Sequence, residues 1–436
     1  MKQLDQFFHI SQKNTTFGRE VRGGITTFCS MAYLILLIPS LLSGAGMDFN
    51  EVLTATCLIA AIGSIVAGLT TNLPFALAPG LGFTTLFTHT MCQQYGCTWQ
   101  QALALVFVSG ILFLCLEISP FGTRLNDVLP MPFKFALSAG VGLFLTLAGL
   151  INAGLITADN NMVDMGALSA PEPLLALLGI FITAVLIMKK VPGALVIGMV
   201  LTAVLGIPVG VTVLPQNLIS VPVLSFNTLK PDFSVFLKLS PIPLFSTLLS
   251  LVVSQHFDAV GTILGVAGDA KLTDSTGDLA GQREAMLCCG ATTCLGAFLG
   301  VSNVTAMGES ATGIREGART GLSAVITGLL FLFMLFFAPL AGLLSGAALA
   351  APLVMVGMSM MSGITQITWK HVEISLPCFL MIVGMPFTSS ITTGVMLGVV
   401  SYVVVMVLRK RAHLIDPVLY IIAAVFVLNA ALYTLI

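Results

Sequence analysis

The sequence predicts an all-α polytopic membrane protein, and three observations carry that prediction. Hydrophobic residues make up 57% of the 436 positions and charged residues only 8%, whereas a soluble globular chain is about 25% charged. Apolar blocks of the ~20 residues that a helix needs to cross a bilayer follow one another along the chain. The few Lys and Arg residues fall between blocks and mostly on one side of them. With a mean hydropathy of +1.02, the chain cannot be a water-soluble domain, and the blocks leave no stretch for a soluble catalytic one.

In the first half the blocks run 24–46, 51–71, 76–92, 100–118, 131–156, 172–188 and 191–213. The second half offers 243–268, 282–299, 301–317, 319–345, 348–366, 371–387, 388–408 and 414–436. The expectation is fourteen or fifteen segments, depending on how the chain divides around Pro377 and Pro386 and in the terminal block. Residues 1–213 read as a first seven-segment repeat. A connection at 214–241, with Pro215, Pro222, Pro231 and Pro241, precedes a second repeat over 242–436. Seven segments per half make the two halves inverted relative to one another.

Charge sets the orientation. Lys2, Lys13, Arg19 and Arg22 precede the first block, and Arg124, Lys189-Lys190, Arg315, Arg319, Lys370 and Arg409-Lys410-Arg411 fall on the same side if segments alternate. The opposite loops are acidic or neutral, except 214–241, which carries Lys230 and Lys238. The positive-inside rule then puts the N-terminus in the cytoplasm of an inner membrane and the 214–241 loop in the periplasm. Polar residues up to position 22 argue against a cleaved leader. The net charge of −1 says nothing about partners, and nothing suggests nucleic acid. Seven of the nine cysteines sit in apolar blocks as small hydrophobes. Cys92 and Cys97 flank an outward loop, where pairing is open. No spacing suggests a metal site, a cofactor or a phosphate loop; Gly261-Thr-Ile-Leu-Gly-Val-Ala-Gly268 lacks the Lys-Ser/Thr ending.

Function is argued from two acids at membrane depth. Glu309 lies in the small, polar stretch 300–310, and Asp258 lies in Val252-Val253-Ser254-Gln255-His256-Phe257-Asp258. An acid at a helix centre costs about 2.5–3.5 kcal/mol on insertion scales unless it faces a polar cavity. The third block of each half is unusual: 72–85 and 300–310 are rich in Gly, Ser, Thr or Pro and poor helix formers. Interrupted segments at matching places in two halves point to a transporter site. Pro79-Gly80-Leu81-Gly82 and Ser302-Asn303 would free backbone N–H groups ahead of helix starts. Glu309, Asp258, Gln255, Thr84, Thr85 and Ser302 would supply acceptors and donors for a small planar ligand with ring N–H groups. Either acid can bind a proton, so proton coupling is chemically available.

Plainer readings stand beside these. Glu309 can pair with Arg315 or Arg319, Asp258 can bond helix ends away from any ligand, and His256 and His89 can be structural. Glu117 and Asp127 bracket Arg124 at an interfacial loop and are expected to be solvated. Gly44-Ala45-Gly46 and Gly140-Val141-Gly142 suit close helix packing.

Phe7-Phe8, Thr15-Thr16, Arg19-Glu20, Gly24-Ile25-Thr26-Thr27-Phe28 and Met31-Ala32-Tyr33 resemble the opening of AzgA-like purine permeases, of the nucleobase–ascorbate transporter superfamily. The likeness continues through Ala45-Gly46-Met47-Asp48, Ala55-Thr56-Cys57-Leu58, Pro74-Phe75-Ala76-Leu77-Ala78-Pro79-Gly80, Phe257-Asp258 with Gly261-Thr262, Glu309-Ser310 with Gly313-Ile314, and Gly317 with Arg319-Thr320-Gly321-Leu322. The resemblance implies two inverted seven-helix repeats divided into core and gate domains, with short strands in the third and tenth segments and a nucleobase between them. It implies that Glu309 binds substrate beside Gly308, that Asp258 and Gln255 face the ligand or the network behind it, and that Thr84 and Thr85 lie on the third-segment strand. Dimerisation through the gate domain is a further implication. This chain departs from the pattern at Thr84 (often Asn), near Leu86 (often aromatic), at Gln255 (usually acidic), at Met307 (commonly Tyr) and at Ile38 (commonly Asn), so the exact base does not carry over. The reading is an importer of adenine or of hypoxanthine and guanine with a proton, in a lipid bilayer, by alternating access. Its rival is an anion transporter or channel of the same architecture, which two pocket carboxylates would oppose. An intramembrane enzyme would need a nucleophile–base pair that the spacing does not offer.

Overall fold

The computed structural model describes residues 2–119, 130–159, 162–189, 191, 193–212, 231–269, 272, 279–336, 345–388 and 391–433. Each of the fifteen predicted blocks contains helix. Among the described residues, six helical stretches are long and apolar enough to cross a membrane: Phe17–Ser43, Phe49–Thr71, Trp99–Ile118, Met131–Asn152, Pro171–Met188 and Gly346–Gln366. Most of the 214–241 connection, together with Arg124 and Asp127, lies outside the described residues.

Caps explain where the helices begin. The first segment starts at Phe17, seven residues before its apolar run, because the Thr16 side chain accepts from Arg19 N. Asp48 accepts from Asn50 N and Glu51 N to open Phe49–Thr71, and Thr98 with Gln101 forms a capping box for Trp99–Ile118. Each satisfies backbone donors that a helix start leaves free. Apolar counting sees the buried run and misses such polar first turns. It also missed a hairpin of β2 (Ile156–Asp159) and β3 (Met162–Met165), paired antiparallel. Cys92 and Cys97 are free thiols.

The helices sort into two groups whose blocks alternate along the chain. In the first, Gly321–Met334 packs on Phe17–Met31 and Phe49–Thr71, while Gln282–Leu299 packs on Trp99–Ile118 and Phe49–Thr71. In the second, Met131–Asn152 packs on Gly346–Met360 and Val372–Phe387, Pro171–Met188 on Ala194–Gly206 and Gly346–Met360, and Ile391–Leu408 on Val372–Phe387 and Pro417–Tyr433. The long helix Pro241–Asp269 belongs to the first group and also touches Met131–Asn152, Ile391–Leu408 and Pro417–Tyr433 of the second.

Apolar helices in lipid gain nothing by hiding from the solvent, so close packing has to hold them. The backbones accordingly meet at glycines. A Cβ on Gly68 would stand 2.5 Å from the Gly321 carbonyl oxygen, and one on Gly23 would stand 2.9 Å from that of Gly313. Gly142 meets the Gly357 carbonyl in the second group in the same way. Glu20 locks this packing from a buried position: its carboxylate accepts from Arg319 N (2.8 Å) and Thr320 N (3.4 Å), just before the 321–334 helix starts.

Gly321→Ala is therefore expected to destabilise the purified protein by about 1–3 kcal/mol or more, as overpacking does. Gly18→Ala, whose Cβ meets nothing within 4 Å, should not. Thermal unfolding in detergent compares the two.

Candidate functional site

In the third segment the helix stops and the chain runs extended as β1 (Leu77–Pro79) before the short helix Leu81–Thr85. In the second half β4 (Val304–Ala306) precedes the short helix Ser310–Arg315. The two strands pair antiparallel, Leu77 opposite Ala306, Ala78 opposite Thr305 and Pro79 opposite Val304. Met307 N donates to Ala76 O and Gly80 N to Asn303 O, both at 3.0 Å, closing the ends of the ladder. Each strand is entered through a left-handed residue, Asn72 (φ 50°) after the 49–71 helix and Gly300 (φ 95°) after the 282–299 helix. Asn and Gly are the residues that take this conformation at least cost.

A three-residue strand has a second edge, and in the membrane every group on it needs a partner. One hydroxyl per strand supplies it. Ser64 Oγ accepts from Leu77 N (3.0 Å) and donates to Leu77 O (3.1 Å). Thr293 Oγ1 accepts from Val304 N (2.9 Å) and donates to Val304 O (3.2 Å). Each clip comes from the preceding helix and grips the first residue of the strand. Pro79 lies two residues beyond Leu77, on the same edge, where a missing N–H leaves nothing unpaired toward β4.

Behind β4 a polar network fills the space to the 241–269 helix. Gln255 Nε2 donates to Thr293 Oγ1 (2.7 Å) and Val304 O (3.0 Å). Asn303 Nδ2 donates to Gln255 Oε1 (2.8 Å) and Ser109 Oγ (2.9 Å). These bonds fix the orientation of both amides, since flipping Gln255 would set its nitrogen against Asn303 Nδ2 and its oxygen against Val304 O, and flipping Asn303 would set its oxygen against Gln255 Oε1. They also explain the departure at Gln255: a carboxylate there could not donate to Val304 O. Thr84 Oγ1 lies 2.7 Å from Ser302 Oγ and donates to Gly80 O, and Thr85 Oγ1 donates to Leu81 O.

The expected site residues therefore divide in two. Thr84, Thr85, Ser302 and Gln255 are fully buried, their polar groups engaged with protein. Thr84 and Thr85 stand in the 81–85 helix, not on the strand, which ends at Pro79. Gly308, Glu309 and Asp258 come together at an opening. Gly308 is exposed and both acids are half-buried. The space in front of Gly308 and Gly261 is empty to 4 Å. Asp258 faces the hydroxyl of Thr305, which makes no well-aligned hydrogen bond of its own, and lies within electrostatic reach of Glu309. Carboxylates surrounded by protein that still keep accessible surface mark a cavity. At Gly82 the two groups come close: a Cβ there would stand 2.9 Å from Val141 of the second group.

Glu309 does not pair with arginine. Its Oε1 accepts from Tyr33 OH at 2.6 Å, while Arg319 donates to Ile314 O and Ala318 O and Arg315 is exposed. Tyr33 went unassigned in the sequence because it reads as one more aromatic in an apolar run. Glu117 was expected to be solvated and is instead buried, 2.6 Å from His256 Nδ1, with Arg283 bonding the carbonyls of Glu117 and Ile118. The partners lie 139 and 166 residues away, so no local pattern announces them.

Residues 18–397 match the model of the xanthine/uracil permease family, described as a permease family. The chain is 36% identical over 432 residues to the adenine permease AdeP of Escherichia coli, covering 98% of this chain and 95% of that one. It is 35% identical over 425 residues to the guanine/hypoxanthine permease PbuO of Bacillus subtilis, covering 96% and 98%. Among solved structures, the transmembrane domain of the cyanobacterial bicarbonate transporter BicA superposes with a TM-score of 0.63 at 15% identity, over 87% of this chain and 97% of that one. At that identity the likeness is one of fold.

Thr293→Val should leave Val304 N and one N–H of Gln255 without an acceptor, while Val304 O keeps Gln255, at about 1–3 kcal/mol for each buried group so orphaned. Thr293→Ser keeps the hydroxyl. The valine variant is expected to melt well below the wild type and the serine variant close to it.

Proposed function

The chain belongs to the xanthine/uracil permease family, and from that membership we propose a secondary active transporter that imports purine nucleobases by proton symport. As a permease it is a multi-pass membrane protein and not an enzyme. The observation that carries the substrate reading is the pair Asp258 and Glu309, which keep accessible surface inside an apolar bundle, beside the open backbone of Gly308. A purine offers ring and exocyclic N–H donors in one plane, and a carboxylate accepting from such a donor forms a charge-assisted bond. The adenine and guanine/hypoxanthine permeases among its relatives fit the same chemistry. The anion-transporter likeness speaks for fold only, and two acids in the cavity disfavour an anion.

The proposed architecture is fourteen spans in two inverted seven-helix repeats, 1–213 and 242–436, joined by a periplasmic 214–241 loop, with the N-terminus in the cytoplasm of an inner membrane. Matching positions support it: each half contributes one strand of an antiparallel pair, with a hydroxyl clip on it and a left-handed residue before it. The first helix group is the core domain and the second the gate domain, which is also the surface for a homodimer. Rocking of gate against core around a fixed site gives alternating access, and Gly82 against Val141 is a point where the two must part. A proton on Asp258 or Glu309 shifts the balance of access states by binding them unequally.

Uptake of radiolabelled adenine, hypoxanthine, guanine, xanthine and uracil, by cells lacking their own purine permeases, tests the reading. Protonophore-sensitive accumulation of one or two purines is expected, and none from membrane-inserted protein would refute it. Glu309→Gln should abolish uptake with insertion intact. Asp258→Asn should flatten the pH dependence of uptake; an unchanged profile removes Asp258 from coupling.

A further inference from the structure

The first segment does not run through as one helix. Phe17–Met31 and Leu34–Ser43 are separated by Ala32 and Tyr33, and Pro39 cannot donate to the carbonyl of Ile35 one turn back. At this joint the Tyr33 ring is enclosed (1% exposed) and its hydroxyl reaches Glu309 Oε1 at 2.6 Å. The same segment packs on the short helix that follows Glu309. Thr312 Oγ1 donates to Glu309 O (2.7 Å) and accepts from Ser30 Oγ (3.1 Å), while Gly23 lies against Gly313. The Glu309 side chain is thus held by the first segment and its carbonyl by Thr312, itself backed by that segment, while residue 309 keeps accessible surface.

We propose that Tyr33 is a specificity-determining residue of the permease: its hydroxyl holds Glu309 in the acceptor role and so admits ligands that present an N–H at that point. This rests on the purine reading and deepens it. A phenol has one proton to give. Given to Oε1, it forms a charge-assisted bond with a carboxylate, about twice as strong as a neutral one, and leaves Oε2 to the cavity. Oε2 then has lone pairs and no proton. A base edge with a ring N–H meets an acceptor; an edge that is N-methylated, or offers only a ring nitrogen lone pair, meets a clash or a repulsion. Sites built to bond a substrate N–H reject analogues lacking it far more strongly than apolar pockets reject an extra methyl. With Phe at position 33 the carboxyl loses its only side-chain donor among the described residues. Glu309 can then turn, or carry its own proton and donate.

Tyr33→Phe removes one oxygen and keeps the ring in its packing. The first arm measures uptake of the best-transported purine with its singly N-methylated analogues as competitors, per molecule in the membrane. In the wild type one methylated analogue should be excluded. In Tyr33→Phe the preference for the parent over that analogue should fall about tenfold or more, with KM raised and maximal rate within about twofold. An unchanged preference overturns the proposal, as does a fall in rate matched by a fall in embedded protein with selectivity intact. The second arm needs no substrate. Infrared spectra of purified protein at neutral pH should give Tyr33→Phe a carboxylic-acid C=O absorption that is absent from the wild type and from the Tyr33→Phe/Glu309→Gln double variant. Identical carboxyl regions in wild type and Tyr33→Phe also overturn it. Should the wild type take up no purine, the functional reading fails by itself and the infrared arm still decides the role of Tyr33.

Discussion

The structure depends on how extended backbone survives at membrane depth. Six strand residues, Leu77–Pro79 and Val304–Ala306, leave helical geometry where no water can satisfy them, and each unpaired group would cost several kcal/mol. Inner edges pair with each other. On the outer edges a hydroxyl meets the first residue of each strand, Ser64 for Leu77 and Thr293 for Val304, whose carbonyl Gln255 also bonds. The site follows from this solution. A strand that ends at Ala306 sends the chain on through Met307 and Gly308 into a new helix, so residues 308 and 309 stand at a corner where neither regular structure covers them. The polar network of Gln255, Asn303, Ser109 and Thr293 is then scaffolding: its bonds run within the protein, behind the corner where the two acids keep accessible surface.

Legibility in the sequence followed interaction range. Helix positions were readable because twenty apolar residues in a row have few alternatives, and the 282–299 block coincides with its helix to the residue. The breaks at 72–85 and 300–310 were readable because Pro, Gly, Ser and Thr are poor helix formers locally. Their pairing across 220-odd residues was suggested by matching position and by resemblance; no local chemistry specified it. What escaped was set by distant partners. Tyr33 gained meaning only beside Glu309, 276 positions away. Glu117 looked like a loop acid because Arg124 and Asp127 follow it, yet its neighbour in space is His256. Thr84 and Thr85 were near enough to the strand in sequence to be put on it, but Pro79-Gly80 ends the extended run and their hydroxyls turn back on the helix that follows.

Gln255 separates scaffold from site on chemical grounds. Its amide donates twice and accepts once, linking Thr293, Val304 and Asn303 into a set with every N–H engaged. An acid at the same place would lose both donations and add a third charge to the two at the cavity. The neutral residue therefore adds no charge behind Asp258 and Glu309, which lie on the open side. Any ligand carrying net negative charge would enter against both acids, whereas a neutral base with N–H groups meets acceptors. The fold is shared with transporters of anions, so selectivity of sign has to come from such residues and not from the architecture.

The same reasoning ranks the two acids. Glu309 is bonded at its side chain by Tyr33 of the first segment and at its carbonyl by Thr312, which Ser30 of that segment backs; under the proposed function that restraint suits a group holding a ligand in one geometry. Asp258 sits on Pro241–Asp269, which packs in the first helix group and also touches three helices of the second, with the ill-aligned Thr305 hydroxyl as its polar neighbour. A group with loose partners on an element shared by both helix groups is placed to change its interactions under the proposed movement of one group against the other. Binding a proton there would alter the contact between core and gate, and binding one at Glu309 would alter the fit of the ligand. Under the proposed function, the difference in how the chain restrains the two acids favours recognition at the clamped carboxylate and coupling at the loosely held one.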